Sequence, residues 1–138
     1  MSDGVSLIRH VLINNSTVTG LIPAAKIRPG PIPQDLALPA ISIMRVDGIP
    51  TKTVSMKYPI TFRDRIQVTT LAHTYTLPKS LSNLFLTALN MHSFTVLFSN
   101  GSYYCDSIIP DIIGPDFFDH DTLTFSQSVD FFVKYRSS

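Results

Sequence analysis

Two stretches of this chain alternate apolar and polar residues with a period of two. In Ile60–Thr74, Phe62, Ile66, Val68, Thr70 and Ala72 fall on one side with Ile60 and Asp64, while Arg63, Arg65, Gln67 and Thr69 fall on the other. In the second, Leu123, Phe125, Val129, Phe131, Val133 and Tyr135 alternate with Thr122, Thr124, Ser126, Ser128, Asp130, Lys134 and Arg136, with Phe132 the one large apolar residue on the polar side. Side chains on a strand point alternately to opposite faces, so both stretches demand a sheet with one buried and one wet face. That requirement excludes an all-helical bundle.

The helical signals are fewer. Val5, Ile8, Val11 and Leu12 recur at helical spacing, with Ser2 or Asp3 as a cap, which predicts a helix over 4–13. Ser16 is positioned to cap a further turn through Val18 and Leu21, closed by Gly20 and Pro23. Leu81, Leu84, Phe85, Ala88 and Leu89 form the best amphipathic stripe, with Thr76 as cap and Pro78 in the first turn. "AISIMRV" (Ala40–Val46) reads as a strand, and "FTVLF", "SNG" and "SYYCDSII" as a hairpin turning at Asn100-Gly101. Residues 47–59 read as a loop or a loosely formed hairpin, and Pro110–Asp121 as a loop. The prolines of "KIRPGPIPQDLALPAISI" fix φ and remove donors, which predicts a stiff crossing from the first helix into the first strand. The expected fold is α+β: one mainly antiparallel β-sheet with two main helices packed on one face, a single domain over 1–138.

Composition narrows the chemistry. At 44% apolar residues the chain is not disordered overall, and no run reaches the length of a membrane span. "MSDGVSLIRH" lacks the basic and apolar regions of a secretion signal, so "NNST" and "NGS" are expected to be turns rather than glycosylation sites. Cys105 is the only cysteine and reads as a small buried hydrophobe. Net charge is +1, divided unevenly: residues 1–80 hold nine Lys/Arg against four Asp, residues 81–138 two against six. Such a division suits subunits meeting through unlike surfaces, and equally suits ordinary solvated charge.

The chain contains no nucleophile elbow, phosphate loop, dinucleotide fingerprint or zincin motif. Asp119, His120 and Asp121 could offer ligands to a metal, but adjacent loop residues rarely converge on one ion, and a solvated turn is the favoured reading. Arg63 and Arg65 on the wet strand face, with Lys52 and Lys57 before it, could meet phosphate. No aromatic shares the wet strand face with these arginines, so a stacking platform for nucleic acid is not expected. What remains is a protein expected to work through surfaces rather than a pocket: no enzyme, no cofactor, no metal.

The strings "IRPGPIPQDLALPAISI", "RIQVTTLAHTY", the Leu81/Leu84/Ala88/Leu89 helix, Asp116 and "SVDFFVKYR" (Ser128–Arg136), in that order, resemble the tail-completion or tail-terminator proteins of long-tailed bacteriophages. The chain departs from that pattern at Pro78, where Ala is frequent, and in having no Trp near Tyr135. The resemblance implies a ring, usually hexameric, seated on the last ring of tail-tube subunits. There it would stop elongation and offer a surface for head joining. Its implied partners are its own copies, the major tail-tube protein, a head-completion or connector protein, and genomic DNA passing through without sequence-specific binding, with no membrane. The implied location is the head-proximal end of the virion tail, reached from the host cytoplasm. Candidate interface residues are Lys52, Lys57, Arg63, Arg65, Asp119 and Asp121. Two alternatives stay open: another head–tail connector ring, such as a neck or stopper protein, and a small ligand- or metal-binding domain.

Overall fold

A computed structural model describes residues 4–33, 36–51, 61–90, 93–98 and 101–137. The elements run α1 (Gly4–Ile13), α2 (Ser16–Leu21), a 3₁₀ turn (Ala24–Lys26), β1 (Ile27–Pro29), β2 (Ala40–Thr51), β3 (Thr61–Ala72), α3 (Thr76–Ala88), β4 (Phe94–Phe98), β5 (Gly101–Ile113), β6 (Phe117–Asp119) and β7 (Thr124–Ser137).

All described strands join one sheet in the order β1-β2-β3-β7-β5-β4, with β6 also paired to β7. β1 runs parallel to β2 and the other pairs are antiparallel. The α+β expectation is therefore corrected. The protein is mostly β, 51% strand against 27% helix, a curled mixed sheet carrying three helices. The physical reason lies in two segments, one read as a loop or loose hairpin and the other as a loop. Residues 47–51 continue β2, paired from Asp47↔Arg65 to Thr51↔Thr61 after a bulge between Arg45 and Asp47. Residues 110–113 continue β5, and 117–119 form β6. These segments lack a buried face of their own and owe their strand form to ladders with β3 and β7. Residues 52–59 of the expected loop lie outside the described residues.

β5 and β6 line the same edge of β7 as one interrupted strand. Between them Gly114 N–H donates to the Ser128 carbonyl (2.7 Å), which carries the ladder across the break. β3 covers the other edge over the full run Thr61↔Arg136 to Ala72↔Phe125. The last strand of the chain is thus interior to the sheet.

The alternation read in the sequence sorts the faces as expected along β3 and from Val129 onward in β7, but not at the start of β7, where Thr124 is buried and Leu123, outside the strand, is exposed. Asp64, Ile66, Val68, Thr70 and Ala72 of β3 are buried, as are Val129, Phe131, Val133 and Tyr135 of β7. Against them pack Leu7, Ile8 and Leu12 of α1 and Leu81 and Phe85 of α3, followed by Leu89. Each such side chain contributes on the order of 1.5–3 kcal/mol on leaving water. The α1 bounds agree with the sequence reading, although its stripe is rotated: Leu7 is fully buried and Val5 and Val11 are half-buried. The expected cap at Ser2 or Asp3 lies outside the described residues. α2 is capped by Asn15 rather than Ser16, its side-chain oxygen accepting from Thr17 N and Val18 N.

The proline-rich crossing contains a strand of its own. Ile27–Pro29 pair with Ile41–Ile43, and β1 has no neighbour on its outer side among the described strands. A proline at such an edge forfeits no ladder bond. Gly30, at φ 80°, ends the strand, its N–H donating to Ile43 O (2.9 Å) while Ser42 Oγ donates to its carbonyl (2.7 Å). Arg9 of α1 donates from Nε to Ile27 O (2.8 Å), tying the helix to this edge. The Leu38-Pro39 peptide bond is cis.

Candidate interaction surface

The face opposite the helices is built from the polar halves of the long strands. On β3 it presents Arg63, Arg65, Gln67 and Thr69; these lie opposite Lys134, Phe132, Asp130 and Ser128 of β7. Ile109 of β5 sits beside Phe132, and Tyr104 beside Arg136. Several large apolar residues stand exposed here, among them Ile49 of β2 and Ile109 of β5, at 57% and 55%.

Arg65 is committed within the chain. Its Nη2 lies 2.9 Å from Asp130 Oδ2 and 3.1 Å from Asp111 Oδ2, and its Nε donates to Asp130 Oδ2 at 3.0 Å. The Asp130 hydrogen bond, with Asp111 and Asp47 nearby, holds the guanidinium above its ordinary pKa. Arg63 makes no such ion pair among the described residues; its Cζ lies 4.2 Å from the Phe132 ring centroid.

Asp119 and Asp121 sit at the other end of the sheet. Asp119 pairs with Thr124, eight residues along β7 from Phe132, so roughly 26 Å separates them from the arginines at ~3.3 Å per residue. Asp119 Oδ1 accepts from Asp121 N (2.9 Å), a local turn closed by the loop itself, and the His120 ring meets Phe118 edge-on at 4.8 Å. No group of three His, Cys, Asp or Glu residues able to hold a metal occurs among the described residues. Lys52 and Lys57 lie outside the described residues. The four described candidates therefore do not form one patch.

The uneven division of charge along the chain is resolved in part inside the fold. β7 and β5 of the acidic half lie beside β3 of the basic half, so Arg65 meets Asp111 and Asp130. Lys79 meets Asp116 in the same manner, at 2.9 Å.

Asp116 is a junction that the sequence marked without revealing its partners. Oδ2 accepts from Tyr75 Oη (2.8 Å) and pairs with Lys79, and Oδ1 accepts from Gln127 Nε2 (2.8 Å). Hydrogen bonds from Lys79 first and Tyr75 second hold its carboxyl below the usual carboxylate value. It fastens the chain between β5 and β6 to the start of α3.

Among the described residues, Asp64 is the one charged residue in the sheet's buried face, at 0% exposure. Oδ2 accepts from Gly4 N at the start of α1 (3.2 Å) and from Tyr135 Oη (2.9 Å), and Arg45 Nη1 approaches to 4.0 Å. A negative charge at a helix N-terminus is favourably placed. A Cβ at Gly4 would come within 2.9 Å of this carboxylate and one at Gly48 within 2.5 Å, so both glycines make room for it. The sequence pattern placed Asp64 on the apolar side, yet its partners come from residues 60 and 71 positions away. Cys105 is buried, and desolvation pushes its thiol up to about 12.

Comparison with known protein families and with curated proteins returns no match.

Proposed function

We propose that this protein is a ring-forming tail-terminator of a long-tailed bacteriophage, one that caps the tail tube and receives the head. The reading rests first on the ordered strings from "IRPGPIPQDLALPAISI" to "SVDFFVKYR". The observation that supports it in three dimensions is the outer sheet face, a broad surface of long strands carrying exposed apolar and charged side chains together. Such a surface suits assembly with other subunits. In this reading Arg63 and the Asp119–Asp121 turn, at opposite ends of the face, belong to heterologous contacts between neighbours, and the segment holding Lys52 and Lys57 meets the tube or the adjacent subunit.

Electron microscopy of tails assembled with and without the protein tests the function. Capped tails of uniform length are expected with it, and overlong tails without it. Replacing residues 52–57 by a Gly/Ser segment of equal length should leave a folded subunit that no longer caps; normal capped tails from that variant would remove the segment from the contact. Co-purification with filled heads rather than with head-free tails would reassign the protein as a neck or stopper ring.

A further inference from the structure

The structure supplies what β3 itself lacks on the face of Arg63: aromatic rings. At the β2–β3 tip end of the outer face, Arg63, Lys134 and Arg136 share one surface with Phe132 and Tyr104, brought together from β3, β7 and β5. Arg63 Cζ stands 4.2 Å from the Phe132 centroid and Arg136 Cζ 4.6 Å from the Tyr104 centroid. A shallow depression of about 520 Å³ lies beside them, lined by Thr61, Arg63, Ser107, Ile109, Phe132 and Lys134.

The neighbouring acids leave these cations available. Asp111 and Asp130 are both engaged by Arg65. Asp47 lies opposite Arg65 across the β2–β3 ladder. Asp106, in the β5 bulge, forms no ion pair with a described residue, and neither do Arg63, Lys134 or Arg136.

We propose that this end of the outer face, in a subunit whose Arg63 is not yet covered by a ring neighbour, binds single-stranded nucleic acid, with bases stacking on the Arg63–Phe132 and Arg136–Tyr104 pairs and phosphates held by Lys134 and the arginines. Two aromatic positions about 13 Å apart along β7, each joined to a cation, form a track rather than a pocket for one small molecule. Stacking on such pairs tolerates any base, because every base has a π face. Thr61 and Ser107, both lining the depression, add hydroxyl-bearing side chains to it.

The test is fluorescence anisotropy with labelled 12-residue oligo-dT and oligo-rU and a duplex of equal length, over 50–200 mM salt, with sedimentation reporting oligomeric state in the same samples. Single strands are expected to bind more tightly than duplex, with log K falling against log salt at a slope of about −2 for three neutralised phosphates. Phe132→Leu should weaken oligo-dT binding at least fivefold, because the apolar volume is kept and the stacking ring lost. The double variant Lys134→Ser/Arg136→Ser should bring the slope to about −0.7. Absence of binding at 50 mM salt, duplex binding as tight as single strand, or indifference to both variants overturns the proposal. So does displacement of oligo-dT by poly-glutamate of equal charge, which would identify an acidic protein as the occupant. Lys134 and Arg136 are not among the ring-contact candidates. Unchanged oligomers that have lost oligonucleotide binding, or the reverse, therefore separate this surface from the assembly role.

Discussion

The hydroxyl of Tyr135 on β7 donates to the buried carboxylate of Asp64 on β3 at 2.9 Å, across 71 residues of chain. With Gly4 N–H as a second donor, this contact joins the two central strands to the start of α1.

Tyr135→Phe removes one hydrogen bond to a charged acceptor and should cost about 1.5–3 kcal/mol in urea denaturation. Asp64→Ala should cost more, because Tyr135 Oη and Gly4 N then both lose their acceptor in a buried site. Equal losses in the two variants would show that the Gly4 contact contributes nothing.

Two glycine replacements should act in opposite directions. At Gly48 a Cβ would meet Asp64 Oδ1 at 2.5 Å, so Gly48→Ala should destabilise by about 1–3 kcal/mol. At Gly20, inside α2, nothing lies within 4 Å, and Gly20→Ala should stabilise by about 0.5–1 kcal/mol. Thermal melts of both variants check the pair.

The Asp116 junction predicts a dependence on acid. Its carboxyl is held below the ordinary value of 3.8, so ionisation favours the folded state. The contribution is fully present above that value and is lost as pH falls through the lowered folded value. Melting temperatures followed downward from pH 6 should fall less steeply in Asp116→Asn than in the parent protein. A carbon NMR titration should place the Asp116 carboxyl nearer its ordinary value in Lys79→Met.

Cys105 should resist alkylation in the folded protein, because at about 12 its thiol is almost wholly protonated at pH 8. Its raised value favours the folded state below the ordinary thiol value of 9.0, an advantage that fades as pH rises toward 12. Iodoacetamide labelling at pH 8 should be slow in buffer and rapid in denaturant, followed by intact mass. Rapid native labelling would show that the strand opens locally.

The sequence was most legible where a single element carries its own pattern. The faces of β3 and of β7 from Val129 onward, the bounds of α1 and the stripe of α3 all follow from local periodicity. Residues 47–51 escaped because Asp47, Gly48 and Pro50 offer no apolar alternation; pairing with β3 makes them a strand. Residues 110–113 escaped in the same way, with Pro110 reading as a break while β7 supplies the ladder. The ring beside Arg63 was sought near it in the chain and arrived from β7, in register as Phe132 beside Arg65. Asp64 was visible as an oddity of the pattern, but its meaning depended on α1 and β7. In each case the missing information is the pairing between distant strands.

β7 joins β3 to the β5–β4 hairpin, and no other described strand connects those two parts of the sheet. During synthesis, a nascent chain that has not yet released residues 124–137 therefore holds two incomplete sheets, with the edges of β3 and β5 both open. Such edges invite pairing with other chains, and long-range strand pairing is slow to form. Copies emerging from neighbouring ribosomes would be at greatest risk of cross-pairing in the interval before β7 inserts.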